Sequence, residues 1–263
     1  MIINPYVFGG FDADAQAFIT AAGITDNTQK TAINTLVLSL KSNNIWTKMK
    51  AIYPMVGGTA TTHKFNLKNP LDTDAAFRLV FSGGWTHSAT GALPNGTNGY
   101  ADSFLNTQLH LSLNSGHLSY YSRSNTLNGN YIEIGSLKST PDSYTSIMIN
   151  GFGLGYVGRI NNGAPYDNIA NADSRGFFLT NRTASNIIKL QKNSSILVNG
   201  TASSNAVSNL NIYLGASNTG TGTQYYTNRE CAFASIGDGL TDTEAGNFYT
   251  AVQNFNTSLS RQV

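Results

Sequence analysis

Arg229-Glu230-Cys231-Ala232-Phe233-Ala234-Ser235-Ile236-Gly237-Asp238-Gly239-Leu240-Thr241-Asp242-Thr243-Glu244 is the stretch on which the fold turns. Cys231, Phe233 and Ser235 alternate with Ala232, Ala234 and Ile236, and small or apolar residues at both sets of positions suit a strand buried on both faces. Gly237-Asp238-Gly239 stops it, because two glycines permit a sharp reversal. Thr241, with Glu244 three residues on, has capping-box spacing, in which each side chain satisfies the other's free backbone N–H. Ala245, Phe248, Tyr249, Val252, Phe255 and Leu259 then recur at helical spacing, so one face of a helix packs inward. A strand, a tight turn and a capped amphipathic helix would close whatever lies upstream.

What lies upstream, from Tyr53, is a series of short apolar runs broken by Gly, Asn and Pro. Strands are expected near Lys64–Leu67, Phe77–Phe81, Leu109–Leu113, Leu118–Arg123, Tyr131–Gly135, Tyr144–Ile149 and Gly155–Ile160. Others are expected near Gly176–Thr180, Asn186–Gln191, Ser194–Val198 and Asn211–Gly215, with Lys192-Asn193 turning a hairpin. Lengths and turn signals of this kind indicate a mainly β fold, a two-sheet antiparallel sandwich. The first 52 residues read differently. Residues 1–12 look irregular. Asp12 or Asp14 can cap a short helix through Phe18 and Ile19 that Gly23 stops. A second helix starts near Thr25 or Asp26 and carries Ile33, Leu36, Val37 and Leu40 on one face. Ile45–Ile52 is expected to add another helical turn or two. We read 1–52 as a helical docking or assembly segment and 53–263 as the sandwich.

Composition narrows the function. Charged residues are 11% of the chain, against ~25% in an average soluble protein, and the net charge is +2. That balance offers no electrostatic footprint for nucleic acid. No run of ~18 apolar residues is present, so no transmembrane helix is expected. The N-terminus lacks a basic region followed by a long apolar one, and reads as no signal peptide. A single cysteine, Cys231, excludes an internal disulfide framework. Synthesis in a reducing cytoplasm is expected.

Several segments resemble the concanavalin A-like lectin/glucanase sandwich in its laminin-G-like and pentraxin-like variants. Asn95-Gly96-Thr97-Asn98-Gly99-Tyr100-Ala101-Asp102 is similar to its opening loop and first long strand. His117–Arg123 is similar to a central strand, Ser194–Gly200 to a middle hairpin, and Phe233–Tyr249 to the closing strand, turn and helix. The resemblance covers about residues 60–263 and implies a jelly-roll sandwich with a C-terminal capping helix. A second resemblance runs over nearly the whole chain. Asp12–Asn44, Tyr53–Leu67, Gly83-Gly84-Trp85-Thr86-His87-Ser88 and Ile236–Val263 are similar to a group of bacteriophage virion proteins, nearest to those of phages infecting Bacteroidetes-type hosts. That resemblance implies a structural component of a virion, in a tail, fibre, spike or capsid appendage. It also implies other virion proteins and copies of itself as partners, a trimer being one arrangement.

Catalytic chemistry is hard to find. Glycoside hydrolysis needs two carboxyl groups flanking the scissile bond, and the Glu-x-Asp-x-x-Glu pattern is absent. Of the three glutamates, Glu244 is taken by the helix cap and Glu133 is alone on its strand. Asp72 and Asp74 sit in a loop where turn capping is the commoner use. His63, His87, His110 and His117 lack metal-ligand spacing, and Asp102, Asp167, Asp173 and Asp238 are too dispersed to assert a calcium site. No cofactor, metal or catalytic residue is therefore expected. Cys231 reads as a buried thiol. What remains is a surface for sugars, which are held by aromatic faces and planar polar groups. The candidate glycan contacts are Trp85, His87, Asn98, Tyr100, Tyr121, Arg123 and Tyr226. For Trp85 the commoner use is packing, and of Tyr120 and Tyr121 one should face in and one out. The expected function is a non-enzymatic virion component touching host surface glycans. The alternatives are a free carbohydrate-binding module and, last, a glycoside hydrolase.

Overall fold

The computed structural model describes residues 10–127, 129–151, 153–163 and 167–263, so the irregular lead expected over 1–12 lies, for 1–9, outside the described residues. Its helices are α1 (Ala13–Ala21), α2 (Asn27–Ser42), α3 (Ala60–His63), α4 (Thr107–His110) and α5 (Asp242–Ser258). The first strands are β1 (Met49–Tyr53), β2 (Val80–Ser82), β3 (Trp85–Ser88), β4 (Gly91–Pro94), β5 (Tyr100–Asn106) and β6 (Gly116–Ser122). Next come β7 (Ile134–Ser139), β8 (Asp142–Met148), β9 (Tyr156–Asn162), β10 (Asp167–Ile169), β11 (Gly176–Ala184) and β12 (Ile187–Lys192). The last are β13 (Ser195–Gly200), β14 (Asn211–Leu214), β15 (Ser217–Asn218), β16 (Thr223–Gln224) and β17 (Cys231–Gly237).

Among the described residues these strands make two sheets. The first runs β13-β12-β11-β6-β17-β4-β3, with β1 also on β17. The second runs β10-β9-β8-β7-β14-β5-β2, with β15 and β16 attached at β7. Pairing is antiparallel apart from β15 on β7. The protein is thus the mainly β, two-sheet sandwich that its sequence indicates, with α5 at its C-terminal end. Tyr53, Leu118, Tyr120, Ile147, Tyr156, Phe178, Ile212 and Ile236 fill the space between the sheets.

A second apolar cluster lies on the outside of the first sheet. There α1, α2 and α5 place Phe18, Ile33, Leu36, Phe248, Val252 and Phe255 over Tyr121, Phe177, Leu179 and Phe233. Phe248 meets the ring of Phe177 edge-on at 5.4 Å. Burying a Phe or Val of this kind stabilises by roughly 1.5–3 kcal/mol, which explains why β17 is apolar on both faces. Both halves of the Thr241–Glu244 capping box form. Asp12 caps α1 and Asp26 caps α2. Beyond α5, the buried Arg261 donates to Asn256 Oδ1 and to the carbonyls of Met55, Pro54 and Ala232, tying the C-terminus to the sheet.

Five expectations need correction. Trp46–Lys48 forms a single 3-10 turn, and the rest of the expected helix is β1, paired along β17 from Met49↔Gly237 to Tyr53↔Ala234. Lys64–Leu67 is not a strand, because the side chain of Asn66 replaces a ladder: it accepts from Ile52 N–H and donates to Lys50 and Ala76 carbonyls. Leu109–Leu113 is not a strand: Leu109 and His110 end α4, which Asn106 caps through Gln108 N–H, and Ser112 makes only an isolated bridge to Ser115. The strands expected at Phe77 and Tyr131 begin later, at Val80 and Ile134; Phe77 has left-handed backbone, φ 60°.

Candidate functional site on the open sheet face

With α1, α2 and α5 packed on the first sheet, their apolar residues touch none of the cluster between the sheets. The outer face of the second sheet carries none of these helices. Alternation decides what it presents. In β5, Ala101 and Leu105 point into the sandwich and leave Tyr100 and Asp102 outside; in β14, Ile212 and Leu214 point in and leave Asn211 and Tyr213 outside. Register then aligns them as Ser82↔Tyr100 and Val80↔Asp102↔Tyr213↔Gly135.

The rings of Tyr100 and Tyr213 stack, with centroids 4.9 Å apart and planes 26° from parallel. Asp102 accepts from Phe104 N–H at 2.7 Å and from the Asn211 amide at 3.2 Å, and among the described residues no lysine or arginine pairs with it. Burial pushes the Asp102 carboxyl up, the Phe104 and Asn211 donors oppose that rise, and Asp74 adds to it. Tyr213 is pushed up to about 12 by burial, and then by the charges of Asp102, Tyr100 and Tyr226, which places Tyr226 in the same group. The Tyr213 phenol therefore remains a hydroxyl donor at neutral pH. Two stacked rings, a third tyrosine, a carboxylate with no cation and an amide make a strip that can take a ring with polar edges.

The seven candidates from sequence divide across the molecule. Tyr100 and Tyr226 lie on this strip. Trp85 is half-buried at its rim, where its indole N–H donates to Ser82 and Tyr100 carbonyls and its ring meets Phe81 edge-on. Asn98 is exposed in a self-contained turn, accepting from Gly84 N–H and the Asn95 amide. His87 sits behind Trp85 with its Nδ1 2.9 Å from that of buried His63. Tyr121 does point out of the sandwich, but into the helical layer: it is fully buried, donates to Gln253 Oε1 and accepts from Val263 N–H. Arg123 lies on that side too, paired with Glu230 at 2.8 Å and donating to the Arg261 carbonyl. Neither Tyr121 nor Arg123 reaches the strip. Tyr213, Asp102 and Asn211 were not among the glycan candidates from sequence, where Asp102 was weighed only as a calcium ligand, although the alternation of Asn211-Ile212-Tyr213-Leu214 was legible.

The glutamates are engaged elsewhere. Glu133 is fully buried, paired with Arg229 at 2.5 Å and accepting from Thr227 Oγ1 and Ile149 N–H. Glu230 holds Arg123 and Thr90, and Glu244 closes the α5 cap and pairs with Lys48. Asp72 and Asp74 share Arg78. Among the described residues, no group of three or more His, Cys, Asp or Glu is placed to hold a metal ion. Burial pushes the Cys231 thiol well up, as suits an inert core residue.

No protein-family model matches the chain, and no curated protein sequence does. Similar solved structures exist. Domain 4 of AbnA, a GH43 extracellular arabinanase from Geobacillus stearothermophilus, solved in complex with arabinotriose, is 14% identical with a TM-score of 0.50. That likeness covers 76% of this chain and 98% of the other. A mutant of Trypanosoma rangeli sialidase displaying trans-sialidase activity is 8% identical with a TM-score of 0.55, over 86% of this chain but 39% of that one. At such identities the likeness concerns the fold alone, a two-sheet β-sandwich.

Proposed function

We propose that the protein is a non-enzymatic glycan-binding sandwich whose ligand lies across Tyr100, Tyr213 and Tyr226. The observation that carries this reading is the stacked Tyr100–Tyr213 pair, bordered by Asp102 and Asn211 on the face that the helices leave open. An aromatic face carries a negative quadrupole and takes the C–H patch of a sugar. Asp102 and Asn211 offer planar groups to the hydroxyls around that ring. The AbnA domain, described in complex with arabinotriose, supports a sugar on a sandwich of this shape.

The case against turnover is the use already made of the acids. Glu133, Glu230 and Glu244 each hold a cation, as do Asp72 and Asp74. Asp102 therefore has no free carboxyl among these with which to form the acid–nucleophile or acid–base pair that hydrolysis needs. The sequence resemblance to bacteriophage virion proteins supports a finer placement, in a tail, fibre, spike or capsid appendage. There copies of the chain would contact host surface glycans, and that placement rests on the resemblance alone.

A glycan array on the purified chain tests the binding. Selective binding that falls at least tenfold in Tyr213→Ala, with the melting temperature held, is the expected result. Binding to nothing on the array, or binding that Tyr213→Ala leaves intact, would remove the strip from consideration. Electron microscopy of purified particles tests the placement separately, by finding the chain as a symmetric oligomer or not finding it.

A further inference from the structure

We infer that the same open face carries a second aromatic subsite, so that the preferred ligand is a neutral glycan chain of three or more residues and not a single terminal sugar. This rests on the glycan-binding reading above. The second subsite is a cleft of about 250 Å³ walled by Tyr144 and Tyr225, floored by Leu137 and rimmed by Thr219, Thr221 and Gln224.

Register puts this cleft on the strip's own side of the sheet. Tyr213 opposes Gly135, and two residues further along β7 Leu137 opposes Tyr144. Strand spacing and rise then separate the cleft from the Tyr213 ring by roughly 10 Å, about two sugar residues. Tyr225 and Tyr226 are consecutive and link the two places. Tyr226 belongs with Tyr213, whereas Tyr225 packs with Leu137 against Ile132, Met148 and Val157.

The ground between the subsites is closely packed, and Gly135 is buried there. Gly135 has no side chain, and a Cβ there would meet the Thr145 carbonyl oxygen at 2.6 Å and Ser146 Cβ at 2.7 Å. Its partners in register are Ser146 on β8 and Ser217 on β15. Both are fully buried, and among the described residues the hydroxyl oxygen of each has no hydrogen-bond partner. Buried polar groups almost always find a partner, frequently an ordered water. Two such hydroxyls beneath the span suit a buried water that stiffens the floor between the two subsites.

Charge argues for a neutral chain. The cleft's lining is hydroxyl, amide and aromatic. The Tyr144 hydroxyl donates to Asp142, and the 4%-exposed Arg159 backs the Tyr144 ring at 5.1 Å instead of entering the cleft. At the other subsite the carboxylate of Asp102 would repel an acidic sugar.

Calorimetric titration with a homologous series of one to six residues, built on the best neutral array hit, tests this. Its uronic-acid counterpart is titrated alongside. Affinity should rise at least tenfold from one residue to three and then level off, and the neutral series should bind tighter than the acidic one. Tyr144→Ala should abolish the length gain. Thr221→Trp, at an exposed rim position, should do the same by filling the cleft with no core residue disturbed. A length-independent affinity, a length gain that survives Thr221→Trp, or tighter binding of the acidic series would overturn the inference yet leave the strip as a sugar site. Absence of binding at every length would overturn both.

Discussion

Glu133→Gln separates a structural carboxylate from a catalytic one, and its cost can be worked from the contacts. Glu133 and Arg229 are both fully buried, their ion pair is 2.5 Å long, and Arg229 also donates to the Thr126 carbonyl and lies 5.1 Å over the Tyr131 ring. Removing one partner of a buried pair typically costs 3–5 kcal/mol, because the other charge is left uncompensated. Glutamine keeps an acceptor for Thr227 or Ile149, worth about 1 kcal/mol, so the lower end applies and ~3 kcal/mol is expected. For a chain of this size that is a fall in melting temperature on the order of 10 °C. The double variant Glu133→Gln/Arg229→Met should recover most of it, since neither charge then remains buried. Thermal and urea unfolding of the three proteins, with polysaccharide cleavage assayed in parallel, decide the matter. A Glu133→Gln protein as stable as the parent, or a measurable cleavage activity that this substitution abolishes at full stability, would refute the structural assignment.

Two further predictions concern charge. Asp102→Asn should raise stability at neutral pH and weaken glycan binding. The folded protein holds the Asp102 pKa above its ordinary value by burial, so the carboxylate detracts from stability as pH rises through that pKa and the amide does not. Urea unfolding at pH 7 and calorimetry on the same samples read both effects, and a destabilised variant that binds normally would count against the site. Acidification should destabilise the fold between pH 6.5 and about 4. Burial pushes His117 down to about 4 and His63 to about 3, so only the unfolded chain takes up their protons in that window. Each then loses roughly 1.4 kcal/mol per pH unit, or about 2 kcal/mol each by pH 5. Asp102 works in the opposite direction, and the lowered carboxyls of Asp12 and Asp72 act only below their usual range. Equal urea midpoints at pH 7 and pH 5 would show that these histidines are not held neutral.

The fold was legible where local and tertiary signals agree. The β17–α5 unit announced itself, because Thr241 and Glu244 cap through backbone atoms three residues apart and the alternation before them is regular. β1 was not, because Met49-Lys50-Ala51-Ile52 follows a helix without a turn residue, and only its partner in β17 makes it extended. Lys64–Leu67 misled because one buried side chain, Asn66, supplies the hydrogen bonds of a missing strand. The site shows the same division. Tyr100 and Tyr226 stood out as aromatics among glycines and amides. Alternation sent Tyr121 outward, but nothing in its neighbourhood says that a helix more than 120 residues later covers it. Tyr213 and Asp102 become neighbours only through pairing across more than 100 residues, which no local pattern encodes.

The most direct measurement is the structure of the chain with its best array-selected oligosaccharide bound. A sugar ring stacked over Tyr100 and Tyr213, within hydrogen-bond reach of Asp102 or Asn211 and with the chain continuing toward Tyr144, is the expected result. A ligand seated at the helical layer near Tyr121 and Arg123, or in a pocket between two carboxyl groups, would contradict it.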